Sequence, residues 1–511
     1  MSKSIKQLRR DAKALRRAYE AGEADARQRM ASILTSGTRE LKHNDFLHAV
    51  AREQGFASWP RLVFAVEALG YDRATKVQRL KQALAHGQNW RVDQLLADTP
   101  DLAEVDLGIM CALYNLDAVQ KVLWEDPKAA VERIGPRTPI LHLAFSKYIH
   151  ARPELQDDML AVADLLVAKG ADVNDGYPAH AGSEHLLSAL YGAIGHANNM
   201  PLGRWLLEHG ANPNDNESLY HATELGHHEG LKMLLDHGAE PAGTNALLRA
   251  MDFNDATAVR MLLQAGAQAG EFNDDLIGGE GAWVQPALHQ AARRMCSDEI
   301  VQLILESGAD AKASFEGLTP YAAARIYGNQ ALARALEVQG DATPLNPQEK
   351  MLAQIADKET TEGFIDPAKL PESLRNTIRH ILHLPGKLPH VQRLIAAGME
   401  YDRPDGEGLT PVQVAGWEGL PEVLNYFLSL KPDLSHVNGY GGTLLSTIIH
   451  GSENNPSRKG RDYIECLTLV LTEGVALPRQ AIEFAGEPEI AAFLADWGED
   501  HPGQVVEHGI G

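Results

Sequence analysis

One phrase recurs along the chain and limits what it can become. A run of apolar residues is followed by one or two polar residues, then by glycine and, in most copies, alanine. It reads Leu165-Leu166-Val167-Ala168-Lys169-Gly170-Ala171, then Leu206-Leu207-Glu208-His209-Gly210-Ala211, then Leu234-Leu235-Asp236-His237-Gly238-Ala239. Leu262-Leu263-Gln264-Ala265-Gly266-Ala267 and Ile304-Leu305-Glu306-Ser307-Gly308-Ala309 repeat it, and Leu394-Ile395-Ala396-Ala397-Gly398 is a weaker copy. The apolar run is the buried face of a helix's last turns. The glycine belongs just past the helix end, where a left-handed backbone is wanted and a Cβ is costly. The glycines fall at 170, 210, 238, 266, 308, 340, 398 and 474, with Lys431 in that place in a degenerate copy. One such unit cannot bury its own apolar face, so the units must stack into an open-ended array. At 511 residues the chain is also too long for one compact core.

A second phrase precedes the first in several units. It reads Leu318-Thr319-Pro320-Tyr321-Ala322-Ala323-Ala324 and Leu409-Thr410-Pro411-Val412-Gln413-Val414-Ala415. Pro286-Ala287-Leu288-His289 keeps the Leu-His, and Thr138-Pro139-Ile140-Leu141-His142 carries one extra residue. Gly226-His227, Gly328-Asn329 or Gly419-Leu420 then separates the two helices of a unit. With the two phrases in this order, the chain resembles the ankyrin-repeat family, whose period is about 33 residues. The resemblance implies an all-α solenoid of stacked helix-turn-helix units. It also implies a non-enzymatic function in which the array binds another protein through its loop tips and the inner face of its first helices.

The organisation expected is a basic N-terminal helical module over 1–73, a first array over 74–341, a connector over 342–375, a second array over 376–498 and a tail over 499–511. In the module, Ile5, Leu8, Ala12, Leu15 and Tyr19 draw one apolar stripe on a helix. Lys6, Arg9, Arg10, Lys13, Arg16 and Arg17 take its other faces. A second helix is expected from about Asn44 to Gly55, and Ser58 is expected to cap a third, with Pro60 in its first turn. The string from Leu41 to Leu62 resembles a small helical module found before ankyrin repeats in bacterial proteins. Residues 74–135 read as two degenerate helix pairs. Pro344, Pro347, Pro367 and Pro371 mark the connector. The stretch Gly441 to Ser452 resembles the penultimate repeat of a bacterial ankyrin group, with Thr443-Leu444 replacing the usual Thr-Pro.

Charge and cysteine bound the rest. The net charge is −22, yet residues 1–61 hold 13 Lys/Arg against 7 Asp/Glu, so a basic head precedes an acidic body of −28. Nonspecific nucleic-acid binding is disfavoured on such a body. Cys111, Cys296 and Cys466 are far apart, suiting packed, reduced thiols and a cytoplasmic setting. No secretion signal or membrane-spanning stretch is expected.

No active site, metal site or cofactor is expected. His227-His228-Glu229 invites a metal reading, but His227 takes the inter-helix position, where a loop backbone bond explains it. His209 and His237 precede helix-end glycines, where a basic residue suits exposed carbonyls. His142 and His289 read as structural hydrogen-bonders. Gly278-Gly279-Glu280-Gly281 lacks the lysine and helix context of a phosphate cradle and reads as a loop.

Carrying the family's binding rule onto this chain selects the two residues before the inter-helix position, which glycine fills at 226, 328 and 419. They are Glu224 and Leu225, Asp252 and Phe253, Arg293 and Arg294, Ile326 and Tyr327, and Trp417 and Glu418, with Phe315 and Glu316 in a loop tip. Phe253, Tyr327 and Trp417 are the preferred anchors, since exposed rings are costly unless covered. The competing reading is that each packs on its neighbouring repeat. Trp205 aligns with Met233 and Met261 and is expected in the core. The functional expectation is a protein-binding adaptor, in a sharper form an inhibitor or immunity-type protein masking a basic partner. The alternative is a nucleic-acid-associated regulator using the basic module, although nothing aromatic is interleaved in its first helix. An enzyme built from scattered carboxylates and histidines is the third reading.

Overall fold

The computed structural model describes residues 4–31, 41, 43–180, 182–270, 285–358 and 364–507. The Gly278–Gly281 segment and parts of the expected connector and tail lie outside them. The chain is mostly helical and divides into two compact units, 1–211 and 212–511.

In the first unit the apolar stripe does what its spacing dictates. Helix Ile5–Glu20 buries Leu8, Ala12 and Leu15 and packs on helix His43–Glu53. Tyr19 meets Phe46 edge-on at 5.6 Å. An intervening helix, Ala24–Ala31, carries no clear sequence signal; Arg29 ties it to Glu53 through two hydrogen bonds of 2.7 and 2.9 Å. Helix Trp59–Ala68 starts after Ser58 with Pro60 in its first turn, but the Ser58 side chain makes no cap bond.

Four helix pairs follow in this unit. They are Arg73–His86 with Asn89–Asp98, Leu107–Ala112 with Leu116–Glu125, Pro139–Ala144 with Gln156–Ala168, and Ala189–Tyr191 with Met200–Glu208. A short antiparallel hairpin, Gly176–Pro178 with Leu186–Ser188, projects before the last pair. The first helix of that pair runs on into a π-helical turn, Gly192–His196. There Ile194 packs so closely that a Cβ on Gly203 would meet its Cγ1 at 2.5 Å.

The second unit repeats the plan. First helices Ser218–Ala222, Ala246–Asp252, Ala287–Arg294 and Pro320–Tyr327 alternate with second helices Glu229–Asp236, Ala256–Gln264, Asp298–Glu306 and Gln330–Gln339. Ala287–Arg294 packs on Pro320–Tyr327, which packs on Pro347–Ala356, so stacking runs through the expected connector. Helix Thr377–Ile381 and its partner Leu388–Ala396 precede Pro411–Trp417 with Pro421–Ser429 and Leu444–Asn454 with Tyr463–Thr472. The chain closes on Arg479–Phe484 and Pro488–Asp500, beside a two-residue parallel pairing of Leu477–Pro478 with Val505–Val506.

The recurring phrase behaves as its chemistry requires. All eight of its glycines have positive φ, and Lys431, in the glycine's place, is forced to +56°. Side-chain caps recur at second-helix starts. Asn115, Asn199, Asp255 and Asn329 each accept from the backbone N–H three residues on. Such a cap is worth about 1 kcal/mol. The core is Leu, Ala, Ile and Val from both helices of each pair, with Trp205 buried as expected. Cys111, Cys296 and Cys466 are buried thiols, and burial pushes the Cys296 and Cys466 pKa values up to about 12.

Candidate functional site

The first helices of the second unit carry a continuous chain of charge. Glu217, fully buried, faces His221 Nε2 at 3.1 Å, and His221 Nδ1 lies 2.9 Å from Glu224. Arg249 donates to Glu224 at 2.7 Å and to Asp252 at 3.1 Å. Arg294 donates to the other oxygen of Asp252 at 2.7 Å, and Gln290 donates to that oxygen as well. Three helices, Ser218–Ala222, Ala246–Asp252 and Ala287–Arg294, are thereby laced together. Burial by itself would lower the His221 pKa, but hydrogen bonds and charge from Glu217 and Glu224 outweigh it and raise it to about 9. Burial likewise opposes ionisation of Glu224, yet His221 and Arg249 hold its pKa below the ordinary range.

The residues selected from sequence fall into three groups. Glu224, Asp252 and Arg294 belong to this network. Phe253 is 40% exposed at the end of Ala246–Asp252, with the Arg249 guanidinium 5.1 Å from its ring centre and 5.5 Å from that of Tyr220. Leu225 is half-buried, as is Phe315, whose ring lies 5.7 Å from that of His289; Glu316 is exposed. Trp417 is half-buried against His450, and its carbonyl accepts from Tyr463 and Asn455 at 2.9 and 3.1 Å. Glu418 lies 3.9 Å from Arg461, and burial raises its pKa.

Ile326 and Tyr327 do not reach the surface, at 0% and 2% exposure, and Arg293 is buried too. The reason is a segment whose approach no local pattern announces. The Tyr327 hydroxyl hydrogen-bonds to His380 Nδ1 at 3.0 Å, across 53 residues of sequence. Arg294 donates to His383 Nε2 at 3.2 Å, and Lys387 donates to the Tyr327 carbonyl at 2.8 Å. Burial, then the neighbouring Arg294 and Arg293, lowers the His383 pKa to about 3, so it meets Arg294 as a neutral acceptor. The stretch from Thr377 to Lys387 therefore covers the place an inner-face ligand was expected to take on Tyr327. The sequence reading missed both this segment and the pairing role of Arg249 and His221.

The structural histidines sit where their positions suggest. His142 bonds the Ile134 carbonyl at 3.0 Å and His289 bonds that of Leu318 at 2.9 Å. His209 and His237 turn Nδ1 onto helix-end carbonyls of Trp205 and Met233 at 2.7 and 2.8 Å. His227 Nδ1 accepts from the Glu229 backbone N–H at 3.3 Å. Among the described residues, no three His, Cys, Asp or Glu side chains are grouped to hold a metal ion, and no helix is long and apolar enough to cross a membrane.

The family model for ankyrin repeats matches residues 190–275, in three copies. No curated protein matches the chain. Among solved structures, the human ASB11 ankyrin repeat domain is similar at 20% identity and a TM-score of 0.34, covering 47% of this chain and 99% of that one. An ankyrin repeat domain from Acinetobacter baumannii AYE is similar at 25% identity and a TM-score of 0.30, covering 38% and 99%. The matched repeats carry the same paired helices and positive-φ glycines as the unmatched ones before and after them, and the chain is a mostly helical protein that contains ankyrin repeats.

Proposed function

We propose that the chain is a non-enzymatic scaffold that holds another protein on the first-helix face of residues 212–511. The observation that carries this reading is Phe253. An aromatic ring exposed beside a locked ion-pair network, with half-buried Leu225 near the end of the preceding first helix, supplies an apolar anchor within a polar rim. Ankyrin repeats in general bind proteins, which supports the class of partner. The finer reading is a bacterial-type cytoplasmic adaptor, an inhibitor or immunity-type protein that masks a basic partner. The acidic excess after residue 61 supports the sign of that partner's charge.

The test is affinity capture from native cells with the tagged full chain beside Phe253→Ala. Tyr327 is left untouched because it is core. Phe253→Ala should keep the wild-type melting temperature and bind the captured protein about tenfold or more weakly. An unchanged affinity would show that the surface is wrongly assigned. Failure of the wild type to hold any protein would defeat the scaffold reading itself.

A further inference from the structure

The first unit brings together what its first helix lacks. Helices Trp59–Ala68, Arg73–His86 and Asn89–Asp98 converge so that three rings and three guanidinium groups form one cluster. Phe64 sits at its centre, with the Trp90 ring edge-on at 5.3 Å and the Tyr71 ring edge-on at 6.4 Å. Arg61 and Arg91 lie over Trp90 at 5.9 and 5.2 Å, Arg91 also over Phe64 at 5.4 Å, and Arg79 over Tyr71 at 6.0 Å. Arg61 and Arg79 are exposed, and Trp90 and Tyr71 are partly exposed. Burial raises the pKa of the Glu67 carboxyl, and Arg79, Arg91 and Arg9 of the first helix act against that rise. The surroundings match. The first hundred residues hold 18 Lys/Arg against 11 Asp/Glu, while the remaining 411 hold 29 against 58.

We propose that this cluster is a binding surface for single-stranded nucleic acid. Guanidinium groups pair with phosphate oxygens, and both their planes and the partly exposed Trp90 and Tyr71 rings offer faces on which unpaired bases stack. An acidic peptide would use the cations and leave the rings idle, so the interleaving of rings with arginines favours bases. A duplex keeps its bases stacked on one another and could not use the rings either. The acidic remainder of the chain opposes any polyanion, so the complex forms at low salt and weakens steeply as salt rises.

The test is fluorescence anisotropy of a labelled oligothymidylate strand titrated with the full chain in about 50 mM salt. A labelled oligoglutamate peptide of equal charge is titrated in parallel. Arg61→Glu/Arg79→Glu, at exposed positions, should keep the melting temperature, weaken oligothymidylate binding by about tenfold or more and flatten its salt dependence. Trp90→Leu should weaken it about fivefold or more, and Trp90→Phe, which keeps a ring, should restore most of that loss. The proposal is overturned by no oligothymidylate binding by the wild type, by equal binding by the charge-reversed chain, or by tighter binding of oligoglutamate than of oligothymidylate. Equal losses in Trp90→Leu and Trp90→Phe would also overturn it, because the ring would then be no stacking platform.

Discussion

His221 is the residue on which the candidate face depends most. It is a buried cation only because Glu217 and Glu224 flank it, so its charge and the fold support each other. Its folded pKa of about 9 lies above the unfolded value of about 6.5. A group raised in this way contributes stability that is fully present below the unfolded pKa and is lost as pH rises through the folded one. The contribution should be roughly 2–3 kcal/mol near pH 6 and should fade by about pH 9–10. Lys387 runs against it in part of that window. Burial, then Arg393, lowers its pKa to about 8, so its own contribution grows as pH rises from there. A single stability curve would mix the two, and the decisive quantity is the difference between wild type and His221→Gln. Urea midpoints should differ most near pH 6 and converge near pH 10. A gap that stays constant across that range would mean that His221 is neutral in the folded chain.

At the scale of the element, the repeats are joined by side chains that serve two helices at once. Asn329 caps helix Gln330–Gln339 through Oδ1, accepting from the Leu332 N–H at 3.0 Å, and donates from Nδ2 to the Ala291 carbonyl of the preceding repeat at 2.8 Å. Asn329→Ala removes a cap and the bridge to Ala291, whose carbonyl keeps the Cys296 N–H at 3.1 Å, so it should cost about 1–2 kcal/mol in urea unfolding. A loss under about 0.5 kcal/mol, the size of an ordinary surface change, would show that the bridge carries no weight. Elements of this kind were legible in the sequence because the two phrases report helix ends directly: glycine or Lys431 after the second helix, Thr-Pro before the first. Helix Ala24–Ala31 was not legible, because eight residues with only Ala26 and Met30 buried draw no stripe. Nor was the cover over Tyr327. A ring immediately before an inter-helix glycine looks the same in sequence whether solvent or a histidine 53 residues away meets it. The same blindness hid the Arg61–Trp90 cluster, since basic and aromatic residues that are scattered along three helices meet only in the fold.

At the scale of the whole molecule the governing feature is the separation of charge along the chain. The first hundred residues carry a positive excess and the remainder a balance of −29, a separation that local pairing in the network around Arg249 does not remove. Fields of that size act at a distance, raising the rate of encounter with an oppositely charged partner more than they slow its departure. The apolar anchor at Phe253 works at contact and should govern departure instead. The two contributions are therefore separable by kinetics once a captured protein is in hand. For a basic partner, the association rate constant should fall about tenfold or more between roughly 50 and 500 mM salt, while the dissociation rate constant changes little. Phe253→Ala should do the reverse, speeding dissociation and leaving association close to wild type. Surface plasmon resonance on the full chain measures both. An association rate that ignores salt would remove the acidic body from recognition and leave the scaffold resting on its apolar contacts alone.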